Sequence, residues 1–157
     1  MPTPEFILAL REHVGHDLLW LSGVTAVIVD GEGLVLLHQR SDTGRWALIS
    51  GILEPGEQPA VAVVREAYEE TGVRIEVQHI SSVVAGPPVA YPNGDHVQYL
   101  DIAFRCRPVG GEARVNDDES LAVAWFAPDE LPPLDDDQRE RLRQALKDEP
   151  TAYFVRP

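Results

Sequence analysis

Three glutamates, Glu66, Glu69 and Glu70, lie close together in a segment whose residue pattern predicts a helix. At about 100° per residue, their side chains fall within an arc of about 100° on one helix face. Carboxylate oxygens on one rigid helix suit Mg²⁺ or Mn²⁺ rather than zinc, and such an ion takes its other ligands from water and substrate phosphates. Taken alone, an acidic cluster is more often a solvated helix face, so the flanking residues must decide between the two interpretations.

The flanking residues form a longer pattern. Gly51 is followed after five residues by Glu57, and after seven more by a run from Arg65 to Val73 that contains the three glutamates. This segment of 23 residues resembles the Nudix box, the signature of the Nudix hydrolase family. Looser similarity to Nudix sequences extends from about residue 22 to residue 134 and includes Gly44-Arg45-Trp46, Trp125-Phe126 and Asp129-Glu130-Leu131-Pro132.

The resemblance implies a fold and a metal site. The fold is of the α/β class, a Nudix-type α/β/α sandwich with a mixed central sheet. By position, Glu66, Glu69 and Glu70 match the divalent-metal ligands of the family. Ser50 stands where the family usually has glycine and matches a residue that commonly offers its backbone carbonyl to a metal. The implied cofactor is Mg²⁺ or Mn²⁺.

The loop before the helix has its own matching residues. Glu57 and Arg65 match a pair that the family uses to hold this loop against the helix, and Gly51 begins the loop. A bidentate bond between an arginine and a carboxylate would also explain why a basic residue interrupts the acidic run.

The implied reaction is hydrolysis of the pyrophosphate linkage in a nucleoside diphosphate joined to another group. A pyrophosphate is anionic and repels a nucleophile, so metal ions neutralise its oxygens and lower the pKa of a water molecule. A carboxylate must then accept the proton of that water. Two candidates remain open. Glu66 lies on the helix beside the predicted metal, and Glu119 lies in an acidic loop six residues before Trp125, where some Nudix enzymes place a glutamate.

The residues after the box give hints about the substrate. Pro88 and Tyr91 stand fifteen and eighteen residues after Val73. In Nudix proteins a proline near this distance is associated with ADP-ribose hydrolases, and a tyrosine slightly further on with dinucleoside polyphosphate hydrolases. Arg40 and Trp46 are further candidates for substrate binding. ADP-ribose or a nucleotide sugar is favoured over a nucleoside triphosphate, oxidised ones included. A non-catalytic nucleotide sensor with the same fold is the competing class.

The amino-acid composition excludes several classes of binding partner and of metal site. The chain has 157 residues and a net charge of −13, from 26 acidic and 13 basic residues, which argues against binding a nucleic-acid polymer. The single cysteine, Cys106, cannot form an internal disulfide or a site of several thiolates. No apolar stretch approaches the ~20 residues of a membrane span, and the N-terminus lacks a secretory signal pattern. We therefore expect a small-molecule nucleotide as partner, no membrane, a cytoplasmic location, and a monomer or homodimer.

From the resemblance we expect a single Nudix hydrolase domain over residues 1–157, with an N-terminal helical extension at 1–20 and a C-terminal helix and tail at 135–157. Helices are expected at 4–15, after an N-cap at Thr3, at 59–71 and at 135–146. Strands are expected at 24–29, 34–39, 46–49, 73–84, 96–106 and 121–126. Residues 30–33 predict a hairpin turn and residues 51–56 a loop. The expected apolar faces are Phe6, Ile7, Leu10 and Val14 on the first helix and Val61, Val64, Ala67 and Tyr68 on the second. The strand order does not follow from these patterns.

Overall fold

The computed structural model describes residues 3–157, and three α-helices and eight β-strands lie within them. In chain order they are α1 (Glu5–Val14), β1 (Leu19–Ile28), β2 (Val35–Arg40), β3 (Trp46–Ala47), β4 (Ile49–Ile52), α2 (Pro59–Thr71), β5 (Val73–Ala85), β6 (Val89–Ala90), β7 (His96–Gly111), β8 (Ser120–Phe126) and α3 (Asp136–Leu146). The helix expected at 59–71 is confirmed. It starts with a proline, which needs no amide hydrogen there, and ends at Gly72, whose φ of 71° is left-handed.

The strands form two sheets. In the larger sheet the order is β4-β1-β7-β5, and β6 pairs with the first residues of β7. β1 and β7 are parallel, with Val24 opposite Ile102, while β4, β5 and β6 pair antiparallel. The smaller sheet has the order β3-β2-β8 and is antiparallel. The mixed sheet and the α/β class are therefore as expected.

Side chains alternate between the two faces of β1, and each face carries one helix. Val24 and Ala26 belong to an apolar cluster with Val63 of α2. Val27, on the opposite face, belongs to a second cluster with Leu142 of α3. All five are buried. The two helices thus cover opposite faces of the sheet, which is the α/β/α sandwich that the sequence resemblance implied.

The local predictions around the turns are confirmed only in part. The turn at 30–33 does not close a long hairpin, because only Val29 and Val35 pair across it and β2 continues into the second sheet. The loop expected at 51–56 begins two residues late, since Gly51 and Ile52 pair with β1 as the end of β4. The segment expected as one strand at 46–49 is divided between β3 and β4, and β6 lies in what was expected to be a loop. Pairing with distant strands overrides local turn composition here.

The apolar faces of the first two helices are also corrected. Of the four residues expected to face inward on α2, only Ala67 is buried, and Val61, Val64 and Tyr68 are exposed. The buried face instead contains Ala62, Val63, Glu66, Ala67 and Glu70. Two buried carboxylates interrupt the hydrophobic pattern, so apolar periodicity alone selects the wrong arc.

The ends of α1 and α3 differ slightly from the expectation. The N-cap of α1 is Pro4 rather than Thr3, and Asp135 is the N-cap of α3 rather than its first residue. On α1 only Ile7 is buried, while Leu10 and Val14 are exposed. Among residues 3–157, no helix is both long and apolar enough to cross a membrane.

Candidate active site

The side chain of Glu66 reaches from α2 to the backbone of β4 at Gly51. A Cβ atom built at Gly51 would lie 2.2 Å from both Cδ and Oε1 of Glu66. Any side chain at position 51 would therefore displace this carboxylate. The glycine is explained by this close approach rather than by a left-handed backbone, since its φ is not positive. Ser50, the neighbour of Gly51 in β4, lies half-buried opposite Thr25 of β1.

One guanidinium group joins three of the box carboxylates. Arg65 donates from Nε and Nη2 to the two oxygens of Glu57, at 2.9 and 3.0 Å. Its Nη1 donates to Oε1 of Glu66 at 2.8 Å and to Oε2 of Glu69 at 3.2 Å. The pKa of Glu57 is lowered, chiefly by its hydrogen bond to Arg65. The bidentate pair fixes the loop before α2, and the same arginine orients the carboxylates on the helix.

Glu66 and Glu70 are buried, with 1% and 3% of their surfaces exposed. Burial raises the pKa of Glu66 to about 7, against the opposing effect of Arg65. Burial, followed by the charges of Glu66 and Asp117, raises the pKa of Glu70 to about 9. Oε2 of Glu70 is buried without a hydrogen-bond partner. A cation next to these carboxylates would satisfy that oxygen and offset their desolvation and mutual repulsion, so the donor set fits a hard divalent ion.

The three predicted metal ligands do not form a closed cage. Glu69 is exposed and turned towards Arg65, whereas Glu66 and Glu70 lie under the helix. Within residues 3–157, no group of three or more His, Cys, Asp or Glu side chains is arranged to hold a metal ion by itself. An ion bound here would need further oxygen ligands. Mg²⁺ commonly obtains these from water and substrate phosphate, and the carbonyl of Ser50 is a further candidate.

His38 of β2 points at the buried side of α2. Its Nδ1 lies 2.9 Å from Oγ of Ser120 and 3.6 Å from Oε2 of Glu70. Burial, followed by the charge of Arg40, lowers the pKa of His38 to about 4. The imidazole is therefore neutral at pH 7 and adds no positive charge next to Glu70. His38 lies within the strand predicted at 34–39, but no sequence signal connects it to Glu70.

The acidic loop before β8 is attached on two sides. Asn116 donates from Nδ2 to the carbonyl of Tyr68 at 2.9 Å, and the amide of Ser41 donates to the carbonyl of Glu119 at 2.7 Å. Within the loop, the amide of Glu119 donates to Oδ1 of Asp117 at 3.0 Å. The side chain of Glu119 is half-buried. Asp117, which the sequence did not single out, raises the pKa of Glu70, so this loop borders the carboxylate cluster.

Arg40 connects the cluster to the neighbouring aromatic residues. It forms a bidentate pair with Asp42, at 2.9 and 2.7 Å. Its pKa is raised mainly by Asp42, with smaller contributions from Tyr91 and Glu70, so its guanidinium lies within electrostatic range of both. The hydroxyl of Tyr91 is 3.2 Å from that of Tyr99. Arg40 therefore interacts electrostatically with Glu70, while the contact of Tyr91 is with Tyr99.

The other two candidates for substrate binding are Trp46, which lies beside α3, and Pro88, which lies at the surface. Trp46 packs edge-on against Phe126, with ring centroids 4.9 Å apart, beside the apolar cluster under α3. This places it on the face opposite α2. Pro88 is exposed in the segment between β5 and β6.

Known proteins are similar to this chain in sequence and in fold. A model of the NUDIX domain matches residues 20–148. The chain belongs to the Nudix family. The Nudix match begins after α1, so this helix precedes the family's common region. A MutT-like protein of Streptomyces ambofaciens is 40% identical over 69% of this chain and 64% of its own length. The human 8-oxo-dGDP phosphatase NUDT18 is 34% identical over 83% of this chain and 37% of its own length.

A solved Nudix-type structure shows the same fold. The ADP-ribose pyrophosphatase of Streptococcus suis superposes with a TM-score of 0.65 and 27% identity, covering 82% of this chain and 90% of the other. The chain thus spans less than two thirds of the two sequence relatives but most of this structural neighbour.

Proposed function

We propose that this Nudix protein hydrolyses the pyrophosphate linkage of a nucleoside diphosphate joined to a second group, with ADP-ribose or a nucleotide sugar as the favoured substrate. The observation that carries the proposal is the buried, unpartnered Oε2 of Glu70 beside Glu66, within electrostatic range of Arg40. Acidic groups at this depth fit a divalent cation, and the nearby guanidinium fits an anionic substrate.

Each residue has a distinct proposed role. Glu66 and Glu70, with Glu69 at the exposed edge and the carbonyl of Ser50, would hold Mg²⁺ or Mn²⁺. When bound, that ion neutralises the pyrophosphate and lowers the pKa of a water molecule. Arg65 orients Glu66 and Glu69 through a single nitrogen.

The proposed reaction consumes only water and the substrate. Water adds to one phosphorus atom, the bond from that phosphorus to the bridging oxygen breaks, and the bridging oxygen leaves with the electron pair as a phosphate monoester. The proton of the water passes to a carboxylate. Glu66 is the first candidate for this base because Arg65 and the backbone at Gly51 fix its position, and Glu119 is the second.

Tyr91 supports the choice of a substrate with two groups. It is exposed on a turn within electrostatic range of Arg40 and offers an aromatic ring to a moiety beyond the phosphates. The solved ADP-ribose pyrophosphatase with the same fold is consistent with this choice. A nucleoside polyphosphate with an oxidised base is the second candidate, because the human relative is an 8-oxo-dGDP phosphatase.

A substrate panel tests the proposal. ADP-ribose, nucleotide sugars, nucleoside triphosphates and 8-oxo-dGDP are incubated with Mg²⁺ or Mn²⁺, and the products are separated by chromatography. We expect release of a nucleoside monophosphate from ADP-ribose or a nucleotide sugar. A kcat/KM for a triphosphate roughly tenfold above that for ADP-ribose would reverse the ranking. Tight binding of a nucleotide without any product would favour the sensor.

A further inference from the structure

The N-terminal helix α1 is attached to the turn that carries Tyr91. Arg11 of α1 has a side chain that is only 12% exposed. Its Nη2 donates to the carbonyl of His96 at 2.8 Å, and its Nε lies 3.4 Å from Oδ1 of Asp95. Its Nη1 donates to the carbonyls of Gly15 and Asp17, at 3.0 and 2.6 Å. One guanidinium thus joins the end of α1 to the start of β7.

Further contacts strengthen this junction. His16, just after α1, places Nδ1 at 2.8 Å from Oδ1 of Asp95. The amide of His96 donates to the carbonyl of His16 at 3.3 Å. The ring of His16 also lies over Gly94, since a Cβ built at Gly94 would lie 3.6 Å from Nδ1 of His16. The φ of Gly94 is 93°, a left-handed value that glycine adopts without strain in the turn. Residues 94–96 are therefore held from the side of α1.

The 91–95 turn transmits this attachment to Tyr91. The amide of Tyr91 donates to the carbonyl of Asp95, and the amide of Gly94 donates to the carbonyl of Tyr91, both at 2.9 Å. The hydroxyl of Tyr91 meets that of Tyr99, and Tyr99 packs against the cluster that contains Ile7 of α1. α1 therefore supports Tyr91 both through the turn and through the aromatic ring beneath it.

We propose that α1 is a positioning element for the substrate's second group, and that Arg11 acts by holding the 91–95 turn and with it Tyr91. The part concerning substrate rests on the proposed function. Arginine suits this task because its planar group donates in several fixed directions, which a lysine ammonium cannot reproduce at the same three carbonyls. If α1 only added stability, Arg11→Ala would lower the free energy of unfolding without a selective effect on this turn.

Hydrogen exchange tests the positioning role without any substrate. The comparison uses the wild-type protein, Arg11→Ala, Arg11→Lys, and the control Glu12→Ala, which alters an exposed residue of the same helix. We expect the amides of Tyr91 and of residues 93–96 to exchange ~10-fold faster in Arg11→Ala, less so in Arg11→Lys, with α2 unchanged. Equal exchange of this turn in Arg11→Ala and Glu12→Ala would overturn the proposal.

Kinetics test the link to the second group. In Arg11→Ala we expect the KM for ADP-ribose to rise ~5-fold or more at nearly constant kcat. The inhibition constant of ADP, which lacks the second ribose, should stay within about twofold of the wild-type value. Equal weakening of both ligands would overturn the role in binding the second group. Absence of turnover in the wild-type protein would instead refute the proposed function, and the exchange experiment would still decide whether Arg11 positions the turn.

Discussion

The carboxylate of Glu66 lies where a side chain at position 51 would be, so Gly51 and Glu66 are sterically matched across the contact between β4 and α2. The match joins a strand residue to a helix residue fifteen positions later in the chain. It places the carboxylate against backbone, with Arg65 as its hydrogen-bond donor.

This steric match predicts the effect of a single methyl group. Gly51→Ala should lower the free energy of unfolding by about 2 kcal/mol, because the new Cβ overlaps the Glu66 carboxylate. Gly31→Ala is the matched control, since a Cβ at Gly31 meets nothing within 4 Å, and it should change stability by less than about 0.5 kcal/mol. Denaturant unfolding measures both. Glu66→Ala should relieve much of the cost of Gly51→Ala in the double variant, and additive effects would contradict the steric explanation.

Glu70 and Glu69 are expected to respond differently to neutral substitution. Glu70→Gln removes a buried carboxylate that can ionise to bind a metal, so it should weaken Mn²⁺ binding and lower activity by ~100-fold or more, with partial recovery at high Mn²⁺. Glu69→Gln alters an exposed ligand whose charge already pairs with Arg65, and its loss should be smaller. Metal titration by calorimetry, together with steady-state rates, measures both. A larger metal-affinity loss in Glu69→Gln would reverse this order.

The stability of the metal-free protein should fall as pH rises. The folded-state pKa of Glu70 is raised to about 9 and that of Glu66 to about 7, so between about pH 4.5 and 9 the folded state binds more protons than the unfolded state. Ionisation of these buried groups, next to Asp117 and the neutral His38, then disfavours folding. Thermal unfolding in a chelating buffer measures this decline. Glu70→Gln should flatten it, and added Mg²⁺ should oppose it because the ion binds the folded face. A rise in Tm over this range would refute the assignment.

Loss of the general base and loss of a metal ligand should respond differently to excess metal. Glu66→Gln should lower kcat, and saturating Mn²⁺, although it restores metal occupancy, should not restore the rate, because proton acceptance is still missing. Glu119→Gln should retain most of its turnover at saturating metal. Metal titrations paired with steady-state rates on both variants decide between them. Near-normal kcat in Glu66→Gln would transfer the role to Glu119.

The sequence by itself determined α2, its first and last residues, the positions of the box carboxylates and the family. Helical spacing, a proline start, a glycine end and fixed residue offsets are local properties, and they survive any tertiary arrangement. The Glu57–Arg65 contact also spans only eight residues, which is short enough for the spacing to indicate it.

Only the tertiary structure decided which face of α2 is buried and what lies opposite it. Apolar periodicity favoured Val61, Val64 and Tyr68, yet the inward side carries Glu66 and Glu70, because β4 offers space at a glycine and the sheet covers that arc. Two other contacts likewise join residues from separate elements. His38 lies next to Glu70, and Arg11 contacts Asp95 and His96 at the 91–95 turn. Such contacts depend on strand order and on how helices dock, and neither is encoded in the pattern of any one segment.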